Sequence, residues 1–182
     1  MLYQLLFPMA DQFPVLNVFK YLTFRTGGAI MTALIVGFMF GPVLINMLKT
    51  RQRTGQPIRE DGPEGHLLTK KGTPTMGGFL ILLALTVATL LWADLRNVYV
   101  WAALGVTIGY GVIGFFDDYL KVTRQDSSGL PGKLKLVMQA AIALVAVFVI
   151  ADQLPAPLTT TLAVPFFKNL LVDLGWMFIL FA

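Results

Sequence analysis

The residues with most chemical content are two adjacent carboxylates, Asp117 and Asp118. They follow twenty residues without a charge, Asn97 to Phe116. An apolar run of that length suffices for a membrane-spanning helix, which needs about 20 residues. Acids at its C-terminal end oppose the helix macrodipole, at a cost of a few tenths to about 1 kcal/mol each. Two neighbours of like charge also repel. Such a pair is tolerable if the helix continues past it, or if lysines or a metal ion stand close by. Adjacent helical positions point about 100° apart. The two carboxylates therefore suit separate roles better than joint chelation of one ion. The plain alternative is a pair of solvated acids at the start of a loop.

A second group is Lys70-Lys71-Gly72-Thr73-Pro74-Thr75-Met76-Gly77-Gly78. Thr73 before Pro74 reads as an N-cap followed by a first-turn proline. The free N–H groups of a helix starting there, with Lys70 and Lys71 beside them, would suit an anion or a phosphate. A capped helix start with snorkelling lysines explains the same residues without a ligand. No G-x-x-x-x-G-K-[ST] sequence is present, so this is not a P-loop. Gly109, Gly111 and Gly114 match G-x-G-x-x-G, but a dinucleotide fingerprint needs a strand before it. Inside a membrane-length apolar run, these glycines and Gly105 read as close helix packing. The single His66 stands in a polar loop and is assigned no metal.

The elements that position these groups follow from hydropathy. The chain has 182 residues, 56% hydrophobic and 13% charged, with a mean hydropathy of +0.72. Soluble domains are typically about 25% charged. An all-α, polytopic transmembrane bundle is expected, as a single membrane domain over residues 1–182. Residues 1–25, aromatic and broken by Pro8 and Pro14, suit a short segment in the membrane interface. Helix 1 is expected from Thr26 to Leu48, with Gly37 and Gly41 in a small-xxx-small pattern. Helix 2 is expected from Gly72 to Ala93, helix 3 up to about Phe116, and helix 4 from about Leu134 to Ala151. A last apolar run starts near Leu174. That makes four complete spans and the start of a fifth, so the chain reads as the N-terminal part of a longer protein.

The polar loops, about 49–73 and 117–133, carry the basic residues. The connections after helices 1 and 3 hold six and four Lys/Arg, and those after helices 2 and 4 hold one each. By the positive-inside rule the basic loops are cytoplasmic and the N-terminus lies outside. The net charge of +4 belongs to that asymmetry and not to nucleic-acid binding. Juxtamembrane arginines and lysines also suit anionic headgroups. The cytoplasmic face thus gathers a carboxylate pair, a helix start and several lysines. That set suits phosphoryl transfer between a membrane phosphate and a charged cytosolic donor.

At this point the sequence resembles the phospho-N-acetylmuramoyl-pentapeptide transferase family, within the polyprenyl-phosphate sugar-1-phosphate transferases. The likeness lies in Asn17–Arg25, Glu60–His66, Lys71-Gly-Thr-Pro-Thr-Met-Gly-Gly78, Gly109–Tyr119 and Val164–Lys168. The resemblance implies a ten-helix enzyme of the bacterial inner membrane with a cytoplasmic active site. In its reaction undecaprenyl phosphate attacks UDP-N-acetylmuramoyl-pentapeptide, aided by Mg²⁺, to give lipid I and UMP. It implies Asp117 as the group that deprotonates the lipid phosphate, and Asp118 as its partner in metal or nucleotide handling. It implies Lys70 and Thr75 at the nucleotide and phosphate site, Lys121 and Lys133 at the lipid phosphate, and a homodimer. It also implies that further active-site motifs, including the main metal ligand, lie beyond Ala182, so that residues 1–182 alone would not turn over. Two rivals are a sibling transferase using another UDP-N-acetylhexosamine, and a non-catalytic membrane scaffold or transporter half.

Overall fold

The computed structural model describes residues 1–52, 75–125, 128–155, 158–163 and 171–178. Among the described residues five α-helices run in order: α1 (Leu2–Leu6), α2 (Leu22–Arg51), α3 (Gly78–Trp92), α4 (Val98–Arg124) and α5 (Gly132–Gln153). Two 3-10 segments, Phe7–Asp11 and Pro14–Lys20, join α1 to α2, and each has a proline in its first turn. A short antiparallel hairpin, β1 (Thr161–Ala163) with β2 (Leu171–Asp173), follows α5, with Leu162 opposite Val172.

Among the described residues three helices, α2, α4 and α5, are long and apolar enough to cross a bilayer. The fourth, α3, has 15 residues. At 1.5 Å per residue that is about 22 Å, short of the roughly 30 Å hydrocarbon layer. The expected start at Gly72 is therefore corrected. Residues 75–77 are not helical, and Met76 adopts a left-handed backbone with φ of 72°. Gly77 is the N-cap, without a side-chain cap. The expected Thr73–Pro74 cap lies outside the described residues, as does His66. Both bounds of two other helices move outward: α2 runs Leu22–Arg51 and not Thr26 to Leu48, and α5 runs Gly132–Gln153 and not Leu134 to Ala151. The run from Leu174 opens with a 3-10 turn, Gly175–Met177, and residues 179–182 lie outside the description.

Among the described residues the long helices pack mainly on the next one along the chain, and the N-terminal segment also reaches α3, the Met1 ammonium donating to the Leu90 carbonyl at 2.9 Å. Trp92 at the end of α3 donates its indole N–H to Thr32 Oγ1 on α2 at 2.8 Å and stacks on Phe19. Gly28 on α2 lies directly under the Trp92 ring, where any side chain would collide. At the opposite end Gly41 meets Leu80. On α4, Gly109 faces Ile142 of α5 and Gly111 faces Leu82 of α3, so small residues admit a neighbour on both sides. Two of the three glycines in the nucleotide-like spacing, Gly109 and Gly111, thus serve close packing, while the packing expected at Gly37, Gly105 and Gly114 is corrected. Gly37, Gly105 and Gly114 have open space where a side chain would stand.

Among the described residues the buried apolar core is small: Val36, Leu48, Ala84, Ala88, Leu104 and Ile113. Large apolar side chains such as Phe38, Ile81 and Leu136 point outward and are mostly exposed. Water would penalise that surface, whereas lipid does not. The chain is an all-α polytopic membrane bundle, with the small hairpin as its departure from helix among the described residues.

Candidate active site

The site begins with a helix that does not stop. Asn97 caps α4 by accepting a bond from the Tyr99 amide at 2.9 Å. The helix then continues to Arg124, two turns beyond the Phe116 expected as its end. Asp117 and Asp118 therefore sit within the helix. The macrodipole conflict moves to the last turn, where Lys121 and Arg124 answer it.

The two carboxylates face different surroundings, as their helical spacing requires. Asp117 is nearly enclosed, its side chain 9% exposed. Lys121, one turn on, donates to its Oδ2 at 2.8 Å. Lys135 from α5 reaches the same oxygen at 3.0 Å. The backbone N–H of Leu130 donates to Oδ1 at 2.9 Å. A buried carboxylate is costly unless paired and hydrogen-bonded, and Asp117 meets both conditions.

That arrangement depends on the loop between α4 and α5. Gln125 ends α4 in a left-handed conformation. Gly129 also has positive φ, +60°, and packs against the Asp117 carboxylate and the Lys121 side chain. No Cβ fits there, and the backbone angle itself favours glycine. The turn brings the Leu130 amide onto Asp117, and Pro131 then caps α5.

Asp118 is more open, its side chain 30% exposed. Its Oδ2 accepts a hydrogen bond from the Thr75 hydroxyl at 2.9 Å, while its Oδ1 lies 3.9 Å from Lys121. Thr75 is held in turn by Gln52, the residue that ends α2. The Thr75 amide donates to Gln52 Oε1 at 2.9 Å. Gln52 Nε2 donates to the Thr75 carbonyl at 3.4 Å.

Both aspartates close one end of a groove of about 650 Å³ between α3 and α4. Met76, Phe79, Leu82, Ile108, Val112 and Phe115 are among its walls. An apolar channel thus leads to a charged end holding two carboxylates and, through their ion pairs, two ammonium groups. It can take an amphiphile with an alkyl tail and an anionic head.

Of the residues picked from sequence, Asp117, Asp118, Thr75 and Lys121 come together here. Lys70 lies outside the described residues. Lys133 is exposed and makes no ion pair with either aspartate. Two positions on a helix is about 200° of rotation, so Lys135 faces Asp117 and Lys133 does not.

A family model described as phospho-N-acetylmuramoyl-pentapeptide-transferase signature 1 matches residues 70–82. A phospho-N-acetylmuramoyl-pentapeptide-transferase of Granulibacter bethesdensis is 59% identical over 181 residues, covering 100% of this chain and 50% of that protein. This chain is similar throughout to the phospho-N-acetylmuramoyl-pentapeptide-transferases. It spans about half the length of the curated relative it matches.

The transferase signature covers the part of the chain that approaches Asp118. It includes Thr75, which bonds to that carboxylate, and Leu82, which packs on Gly111. Three contributors stand outside it and were not picked from sequence as site residues: Gln52, Lys135 and the Gly129–Leu130 turn. Lys135 was legible as one of two lysines at a helix start, but its facing was not. Gln52 left no signal beyond being polar at the end of an apolar run.

Proposed function

We propose that the intact protein is a phospho-N-acetylmuramoyl-pentapeptide transferase. It moves phospho-N-acetylmuramoyl-pentapeptide from UDP to undecaprenyl phosphate, giving lipid I and UMP for peptidoglycan synthesis. The observation that carries this reading is the Thr75–Asp118 hydrogen bond. It joins the transferase signature to the carboxylate pair at the charged end of an apolar groove. The 59% identity to a protein of that name supports the same reading.

In this reading a lipid phosphate oxygen attacks the β-phosphorus of the donor. The bond from that phosphorus to the oxygen bridging it to the α-phosphorus breaks, and UMP leaves with the oxygen. Lys121 and Lys135 neutralise phosphate charge at the mouth of the groove. An arriving phosphate competes with Asp117 for these ammonium groups, and each one drawn away frees a lone pair on Asp117. Asp117 then accepts the proton of the lipid phosphate. Lys70, Thr75 and Lys133 complete the substrate contacts in this proposal.

The residues fit a magnesium ion in part. Asp118 offers a partly exposed carboxylate, and among the described residues no three His, Asp or Glu side chains cluster. Asp118 would supply one ligand, and other oxygens must come from substrate or from elsewhere in the protein. Bound Mg²⁺ would offset the phosphate charge.

The basic loops support placing the site at the cytoplasmic face of the bacterial inner membrane, with the N-terminus outside. A homodimer is part of the same proposal. The direct test is UMP release and lipid I formation by the intact protein in bilayers, with Asp117→Asn and Asp118→Asn beside it. Both variants should lose most activity. Unchanged synthesis in both would favour the scaffold alternative, and equal use of UDP-N-acetylglucosamine would favour the sibling transferase.

A further inference from the structure

Among the described residues one buried polar side chain, Gln52, has no part in the proposed chemistry. Gln52 is 6% exposed, although it ends a helix where the chain turns polar. A buried carboxamide must find partners. Gln52 uses both ends of its carboxamide on one peptide segment. Oε1 accepts from the Thr75 amide at 2.9 Å, Nε2 donates to the Thr75 carbonyl at 3.4 Å, and Met76 Sδ lies 3.5 Å from Nε2. The side chain grips the Thr75 backbone much as a neighbouring strand would.

That grip falls beside a strained residue. Met76 has φ of 72°, a region that a side chain other than glycine rarely enters. Such conformations persist where their surroundings over-determine them. The gripped segment directs the Thr75 hydroxyl at Asp118 Oδ2, 2.9 Å away. A continuous relay therefore runs from the end of α2, through the residues before α3, to the last two turns of α4.

We propose that Gln52 is a positioning residue for Asp118, acting through Thr75. Its carboxamide holds Thr75 so that one Asp118 oxygen is occupied and the other is presented to the charged end of the groove. This rests on the reading of Asp118 as part of a transferase site. Gln52 itself is assigned no substrate contact, so it acts on turnover through the placement of Thr75 and, by the Thr75 hydroxyl, of Asp118.

The test uses the intact protein with Gln52→Ala, Gln52→Met, Thr75→Val and the Gln52→Ala/Thr75→Val double variant. Gln52→Met keeps volume and packing while removing both hydrogen bonds. Amide exchange at the segment containing Thr75 should accelerate in both Gln52 variants. Turnover should fall about tenfold or more, as is usual when a partner that orients an active-site ligand is removed, with the donor KM changed less than kcat. The double variant should be no slower than Thr75→Val alone, because the two residues act in one chain. Wild-type kcat in Gln52→Met, or losses that multiply in the double variant, would overturn the proposal. Asp118→Asn separates the two readings. If it stays active, the transferase-site reading fails; if it is inactive while Gln52→Met is normal, only the positioning role fails.

Discussion

Lys135 Nζ lies 3.0 Å from Asp117 Oδ2, although the two residues stand on different helices. With Lys121 on the same oxygen at 2.8 Å, the most buried acid among the described residues holds two cations and itself lines an apolar groove. The pair of lysines balances the pair of aspartates, so the cluster is neutral before any phosphate or metal ion arrives. In the proposed function an incoming anion takes over the ammonium groups by exchanging with Asp117.

Removing the Asp117 charge tests that exchange. Asp117→Asn should lower kcat by about 10²-fold or more, the range for loss of a positioned acid–base group. It also leaves Lys121 and Lys135 without their shared acceptor, so thermal stability in detergent should fall. Turnover within a few fold of wild type would show that Asp117 only anchors the lysines.

Lys135 should act on the acceptor. Lys135→Ala is expected to lower kcat/KM for the polyprenyl phosphate about tenfold, equivalent to roughly 1.4 kcal/mol. Lys135→Arg, which keeps the charge but changes its shape, should recover part of that loss. An acceptor titration run at several salt concentrations would read both. A Lys135→Ala enzyme with unaltered acceptor kinetics would remove this lysine from the site.

The turn over Asp117 is sensitive to a single methyl group. Gly129→Ala places a Cβ against the Asp117 carboxylate at a positive φ. Left-handed backbone alone costs roughly 1–2 kcal/mol in a residue with a side chain. The Leu130 amide should be pushed off Asp117 Oδ1, lowering both melting temperature and turnover. A melting curve and an activity assay on one preparation would check both effects.

Two glycines of the same motif should behave differently. Gly111→Val drives a side chain into Leu82 of α3, and overpacking of this kind costs typically 1–3 kcal/mol. Gly114→Ala meets open space and gains helix propensity over glycine. Melting in detergent should therefore drop for the first and hold for the second. Equal behaviour would mean that α3 and α4 do not pack through Gly111.

Hydropathy and residue type by themselves determined the membrane bundle, the approximate helices and the two carboxylates. The reason is that a bilayer imposes a length on apolar runs and makes charge beside them conspicuous. Lys121 was also within reach of sequence, since one helical turn separates it from Asp117. Helix ends were less legible. The run of α4 past Phe116 depends on Lys121, Lys135 and the Leu130 amide, which make two acids tolerable inside a helix. The late start of α3 accompanies a left-handed Met76 and the grip of Gln52 on Thr75, which no local pattern encodes. Only the tertiary structure decided which lysine faces Asp117, which glycines admit a neighbour, and that Gln52, Thr75 and Asp118 form one chain of contacts. Those facts depend on helix rotation and on how the turn between α4 and α5 folds back, and a sequence specifies these only through packing.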